Sequence, residues 1–262
     1  MMGHVADPSH PRYQSLLKRK KIEDAAKAGM LADSALIAHG RGEAFDYLLG
    51  ERTTDSARAA TKEAAARLCA AERPLISLNG NTMALACEEL LRCAAIIGAD
   101  LEVNIFYRTP QRMKALMDFL KLRYSEVTEL PSPGYNAEEW REMMEEIRLL
   151  GDSPDGRIPG LEGPRANCHS DGILASDVLL VPLEDGDRCE ALVAMGKDVI
   201  VIDLNPLSRS AKMAEITVVD ELCRFAENLY HYSQKPSEPD KNWNNSLILN
   251  AALDEIIQGV EV

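Results

Sequence analysis

Val199-Ile200-Val201-Ile202-Asp203-Leu204-Asn205-Pro206-Leu207-Ser208-Arg209-Ser210-Ala211 is the stretch on which the fold turns. A run of β-branched aliphatic residues stops abruptly at Asp-Leu-Asn, and a segment of small residues carrying an arginine and serines follows. That is the pattern of a strand buried on both faces that delivers polar groups to the start of a helix. In open α/β sheets, ligands bind beyond the carboxyl ends of such strands, where the next helix presents unpaired N–H groups. Proline suits a first helical turn because its missing N–H would be unpaired anyway, so a helix is expected from Pro206 through Met213. An arginine and a hydroxyl in that turn make a phosphate cradle. The plainer reading is a strand-to-helix joint with polar surface residues.

The same alternation recurs on either side. Upstream lie a strand over 178–181, a loop over 183–188 and a helix over 189–195; downstream lie a strand over 215–219 and a helix to Tyr230. Earlier, a strand over 75–78 runs through Asn79-Gly80-Asn81-Thr82 into a helix over 83–97. A strand over 101–106 then runs through Tyr107-Arg108-Thr109-Pro110 into a helix ending near Leu122. Short loops and apolar strands predict parallel pairing with helices on both faces, an α/β Rossmann-like three-layer fold. This core is expected over 74–232, behind an N-terminal helical segment (1–73) and before a linker and C-terminal helix (233–262).

The alternation breaks at Pro131-Ser132-Pro133-Gly134, so residues 131–165 read as a helical insertion. Asn136 and Glu139 form a capping box for a helix running to Leu150, and residues 151–168 form a long loop of the kind that covers active sites. In the N-terminal segment, a helix over 12–28 with Ser9 near its cap carries Lys18-Arg19-Lys20-Lys21, and a second helical stretch meets His39-Gly40-Arg41-Gly42. Two glycines flanking an arginine mark either close approach of a backbone or ligand, or a turn between two short helices.

The 262 residues carry a formal net charge of −13, which opposes extended contact with nucleic acid but leaves room for a small anion held by local arginines. No apolar run reaches membrane-spanning length and the N-terminus has no apolar signal core, so a cytoplasmic protein is expected. The six cysteines form no CxxC pair and the histidines show no metal-ligand spacing. Neither GxGxxG nor GxxxxGK[ST] nor GxSxG occurs. What remains is a set of arginines (Arg19, Arg41, Arg108, Arg188, Arg209) and carboxylates (Asp185, Asp187, Asp203) at loops and helix ends, a mixture that suits a polyphosphate with magnesium.

Six ordered motifs carry a resemblance. They are residues 39–48 (HGRGEAFDYL), 79–81 (NGN), 106–109 (FYRT), 157–162 (RIPGLE), 181–188 (VPLEDGDR) and 202–210 (IDLNPLSRS). Together they resemble the archaeal phosphopantothenate synthetase family across residues 9–228, with a longer insertion after Pro131 and an extended C-terminus. The resemblance implies an ATP-dependent ligase of coenzyme A biosynthesis, acting on 4-phosphopantoate and β-alanine as a homodimer with Mg2+. It puts ATP contacts on Arg19, Arg41, Asp203, Leu204, Asn205, Arg209, Ser210, Glu221 and Leu222. We expect the triphosphate on Arg19, Arg41 and Arg209, with Arg41 also catalytic, and the phosphopantoate phosphate on Asn79, Gly80, Asn81 and Arg108. His39 is a candidate base for the amine, or else orients the Gly-Arg-Gly segment. Two alternatives stand beside this reading: a different ATP- or sugar-phosphate-using transferase, and a nucleotide-sensing regulator that binds ATP without turnover.

Overall fold

The structure, a computed structural model, describes residues 7–259. The chain opens with α1 (Tyr13–Lys27), α2 (Asp33–Leu48) and α3 (Asp55–Ala70). The alternation then runs β1 (Leu75–Leu78), α4 (Gly80–Ile97), β2 (Asp100–Val103), α5 (Pro110–Glu129) and α6 (Ala137–Glu145). Short strands β3 (Leu149–Leu150), β4 (Gly156–Arg157) and β5 (Asn167–Cys168) lead to β6 (Val178–Pro182), α7 (Gly186–Ala194), β7 (Asp198–Ile202) and α8 (Arg209–Met213). β8 (Ile216–Val218), α9 (Leu222–Ser233) and α10 (Asn245–Gln258) follow.

The main sheet is parallel throughout, in the order β3-β2-β1-β6-β7-β8. This is a doubly wound order, and the direction of winding reverses between β1 and β6, which is where such sheets open a ligand crevice. Side-chain alternation sorts the core into two layers. Leu180, Ile200 and Ile202 face α3, α4 and α9, while Leu179, Val181, Val199 and Val201 face α7. Each such aliphatic side chain contributes about 1.5–3 kcal/mol on full burial.

The long loop belongs to that second layer. Ile158, Leu161, Ala166, Cys168 and Ile173 are buried there, and β4 and β5 pair as an antiparallel ribbon. Glu102 on β2 pins the segment, accepting from the backbone N–H groups of His169 and Ile173, each at 2.9 Å. Burial opposes its ionisation and pushes its pKa up. The far edge of the sheet is covered by the C-terminal segment: Asn245 Oδ1 accepts from Thr217 N at 2.8 Å, and Trp243 Nε1 donates to Glu215 O. Cysteines serve as apolar packing, with burial pushing the Cys87 thiol up to about 12.

Several boundaries differ from those expected. Helix α6 stops at Glu145, and Leu149-Leu150 instead extends the sheet beside β2; two residues are too few to show a strand period. Helix α2 passes unbroken through Gly40-Arg41-Gly42. A Cβ on Gly42 would stand 3.6 Å from Leu204 Cδ1, whereas nothing crowds Gly40. Helix α8 begins at Arg209, because Asn205 Oδ1 takes Leu207 N at 3.0 Å and Asn205 O takes Ser208 N, folding Pro206 into a turn. Ser208 is the cap, accepting from Ala211 N. Ser9 lies ahead of α1 and bonds Asp7 instead of capping the helix.

Candidate active site

The switch point is held shut at its base by one side chain. Asn79 follows β1 and caps α4, its Oδ1 accepting from Thr82 N at 3.0 Å while its Nδ2 donates to Pro182 O and Leu183 O at 2.9 and 3.2 Å. Its amide is thus spent on joining β1 to β6. The next residue is glycine for a steric reason: a Cβ on Gly80 would meet Leu31 Cδ2 at 2.5 Å and Met30 O at 3.0 Å. The N–H groups of Gly80 and Asn81 make no hydrogen bond among the described residues and stand in the first turn of a long helix, a natural place for an anion.

Above this junction lies a cleft of about 470 Å³, lined by Asn79, Gly80 and Asn81 together with Arg41, Arg112, Arg165 and Asp185. A second cleft of about 390 Å³ is lined by Asp203, Leu204, Asn205, Ser208, Arg209 and Ser210. Ala38, Arg41, Leu183, Glu184 and Asp185 line both, so the two clefts meet there. A pocket of about 100 Å³ adjoins them behind Leu204 and Leu183 and contains Lys18, His39, Glu221 and Leu222.

Charge is distributed unevenly over this surface. Arg41 forms no ion pair or hydrogen bond among the described residues. Arg112 has no carboxylate partner: it donates to Tyr107 O at 2.7 Å and Met30 O, and its buried Nε has none. Burial without a counter-ion pulls the Arg112 pKa down. Arg165, by contrast, reaches in from the long loop already paired, with Asp185 at 2.7 Å and Asp187 at 3.1 Å, and lies over the Phe106 ring at 4.6 Å. Arg209 pairs with Asp187 and Glu190, each at 2.8 Å, yet keeps 64% of its side chain exposed. Beneath both clefts Arg188, 1% exposed, binds Glu184 and donates to Ser77 Oγ at 3.0 Å. Burial still pushes the Glu184 pKa up.

Asp203 accepts from Asn205 N at 2.9 Å and from Ser208 Oγ, and burial raises its pKa. Ser210 donates to Glu184 O at 2.7 Å. Glu221 caps α9 and pairs with Lys18 at 2.7 Å, leaving Oε1 without a partner.

Arg19 and Arg108 stand apart from the junction, and His39 lines the small pocket beside it. Arg19 grips Glu43 with Nε 2.9 Å from each carboxylate oxygen, on the far side of α2 from Arg41. His39 faces the small pocket and the hollow beside Arg19, its buried Nε2 unpartnered, and burial holds its pKa below the usual 6.5. Arg108 donates to Gly151 O and takes no part in lining the larger cleft. Two arginines that sequence reasoning passed over, Arg112 and Arg165, line it instead. Arg112 was signalled by its place in the first turn after Thr109-Pro110; nothing local marks Arg165.

A doubly wound α/β fold with two joined, arginine-bearing clefts at its switch point has the form of an enzyme that holds two anionic ligands side by side. The sequence comparisons are specific. A family model described as phosphopantothenate/pantothenate synthetase matches residues 56–259, and the chain belongs to that family. It is 52% identical over 216 residues to a protein of Thermococcus onnurineus, covering 82% of this chain and 75% of that one. It is 43% identical over 255 residues to one of Methanosarcina mazei, covering 94% and 92%. Both relatives are named 4-phosphopantoate–beta-alanine ligase. No helix among the described residues is long and apolar enough to cross a membrane.

Proposed function

We propose that this chain is an ATP-dependent ligase that condenses 4-phosphopantoate with β-alanine to 4′-phosphopantothenate in coenzyme A biosynthesis, releasing AMP and diphosphate through an acyl adenylate. The observation that carries the reading is the meeting of two clefts at Arg41, Glu184 and Asp185. A carboxylate is a poor electrophile. Its oxygen first attacks the α-phosphorus of ATP, forming the acyl–phosphate bond as the bond to diphosphate breaks. The amine nitrogen then attacks the acyl carbon, the bond to AMP breaks, and the amine's protons leave to solvent. Holding the carboxylate and the α-phosphate together supplies much of the rate, and unpaired arginines offset the repulsion between two anions.

The nucleotide would occupy the cleft of Asp203, Leu204, Asn205, Arg209 and Ser210, its base entering the pocket of Glu221 and Leu222. Phosphopantoate would lie in the larger cleft with its carboxylate toward Arg41. Its phosphate, at the opposite end of the molecule, would fall on Arg112 and the free N–H groups of Gly80 and Asn81, with Asn79 holding that turn in place. Arg19 would reach the nucleotide only on release from Glu43. Among the described residues no group of three or more His, Cys, Asp or Glu side chains is arranged to hold a metal. That fits Mg2+ carried on substrate phosphates, which needs one or two protein carboxylates; Asp203, in the nucleotide cleft, is the candidate. The ion would offset charge on the triphosphate. Leu36, Ile37, Tyr47 and Leu48 on α2 are exposed, and we assign them to a homodimer contact, tested by sedimentation of wild type and Leu48→Glu. Six free cysteines fit a reducing cytoplasmic setting.

The test is product analysis with purified protein. AMP formed only when both phosphopantoate and β-alanine are present supports the ligase. ADP as product, or ATP binding without turnover, overturns it.

A further inference from the structure

The Arg165–Asp185 ion pair has no part in binding either phosphorylated substrate as assigned above. It stands at the edge of the larger cleft, 2.7 Å between charged atoms, with the two side chains only 13% and 35% exposed. Charge balance suggests its use. Arg41 and Arg112 face the cleft without carboxylate partners, which suits ligands of net negative charge. β-Alanine at neutral pH is a zwitterion of no net charge, and it fits a site that already contains one cation and one anion.

We propose that Arg165 and Asp185 form the β-alanine subsite: the amino acid's carboxylate takes the place of Asp185 on Arg165, and its ammonium takes the place of Arg165 on Asp185. Each half-buried charge exchanges one partner for another, so neither is left uncompensated. Two further contacts hold Arg165 during the exchange, the second ion pair to Asp187 at 3.1 Å and the Phe106 ring at 4.6 Å. Location supports the same assignment. Asp185 lines both clefts, so an amine held on it stands beside the carbon to which the adenylate is joined. Arg165 is carried between β4 and β5, where Ile158 N donates to Ala166 O at 2.8 Å and both residues are buried. The guanidinium is therefore presented from an anchored ribbon.

This inference rests on the ligase reading, and two assays separate their failures. Adenylate formation does not require β-alanine and is measured as phosphopantoate-dependent exchange of labelled diphosphate into ATP; absence of exchange in the wild type would sink the ligase reading itself. With exchange established, Arg165→Met is expected to raise the KM for β-alanine at least about tenfold, the effect of losing a charge-assisted hydrogen bond. The KM values for ATP and phosphopantoate should stay within about twofold of wild type on the same reasoning. Arg165→Lys, which keeps the charge, should recover part of the loss. The wild-type preference for β-alanine over 3-aminopropanol, which lacks the carboxylate, should collapse in Arg165→Met. An unchanged KM for β-alanine, or exchange falling by the same factor as the full reaction, would show that Arg165 only clasps the loop, and would overturn the subsite.

Discussion

Replacing Arg188 with methionine removes a charge from beneath the switch point while keeping the length of the side chain. Arg188 is 1% exposed, and its partner Glu184 has 13% of its side chain exposed, so the change strands a carboxylate that water barely reaches. Breaking one side of such a buried pair costs about 3–5 kcal/mol. For a chain of this size each kcal/mol shifts Tm by roughly 2–4 °C, so a fall of about 6–20 °C is expected. The loss has a distinctive pH dependence. Burial already raises the Glu184 pKa above its unfolded value, and Arg188 is the group that restrains the rise. A carboxyl with a raised folded pKa keeps its contribution below the unfolded pKa and loses it as pH climbs through the folded one. Without Arg188 the folded pKa of Glu184 rises further, so that loss extends to higher pH and deepens. The Tm deficit of Arg188→Met relative to wild type, followed by far-UV circular dichroism, should therefore be largest near pH 8 and shrink on acidification toward pH 5. A deficit that is constant or grows on acidification would refute this electrostatic account of the junction.

Other expectations follow from the same surface. Asn79→Ala loses a helix cap and leaves Pro182 O and Leu183 O without their donor, a cost of about 2–4 kcal/mol by urea unfolding. Gly80→Ala drives a methyl into Leu31 and Met30; it should cost about 1–3 kcal/mol and raise the KM for phosphopantoate more than that for ATP. Arg41→Ala removes a side chain with no protein partner among the described residues. Its stability should stay within about 0.5 kcal/mol of wild type, while kcat falls by about a hundredfold or more.

The parallel core was legible because runs such as Val199–Ile202 are too apolar for any surface and are separated by loops too short for anything but a crossover helix. Leu149-Leu150 was not, since its strand character exists only beside β2. The sequence reading expects both Arg19 and Arg41 at the triphosphate, and spacing alone says nothing of how differently they are held. Both stand on N-terminal helices, and only the packing of α2 against Leu204 turns Arg41 inward and leaves Arg19 to Glu43. Arg112 obeys the same strand-exit rule that singled out Arg209 and was there to be read. Arg165 was beyond reach, because its loop takes its place from Ile158, Leu161 and Ile173 packing under the sheet. His39, offered as a base or as the group that orients the Gly-Arg-Gly segment, lines the small pocket beside the clefts, because on a continuous α2 residues 39 and 41 point in different directions.

In the proposed reaction a carboxylate oxygen is joined to the α-phosphorus of ATP where the two clefts meet. The most direct measurement is isotope transfer from phosphopantoate labelled with 18O in its carboxylate. A single 18O atom is expected in the AMP released. Label in inorganic phosphate or diphosphate, or none in AMP, would contradict it.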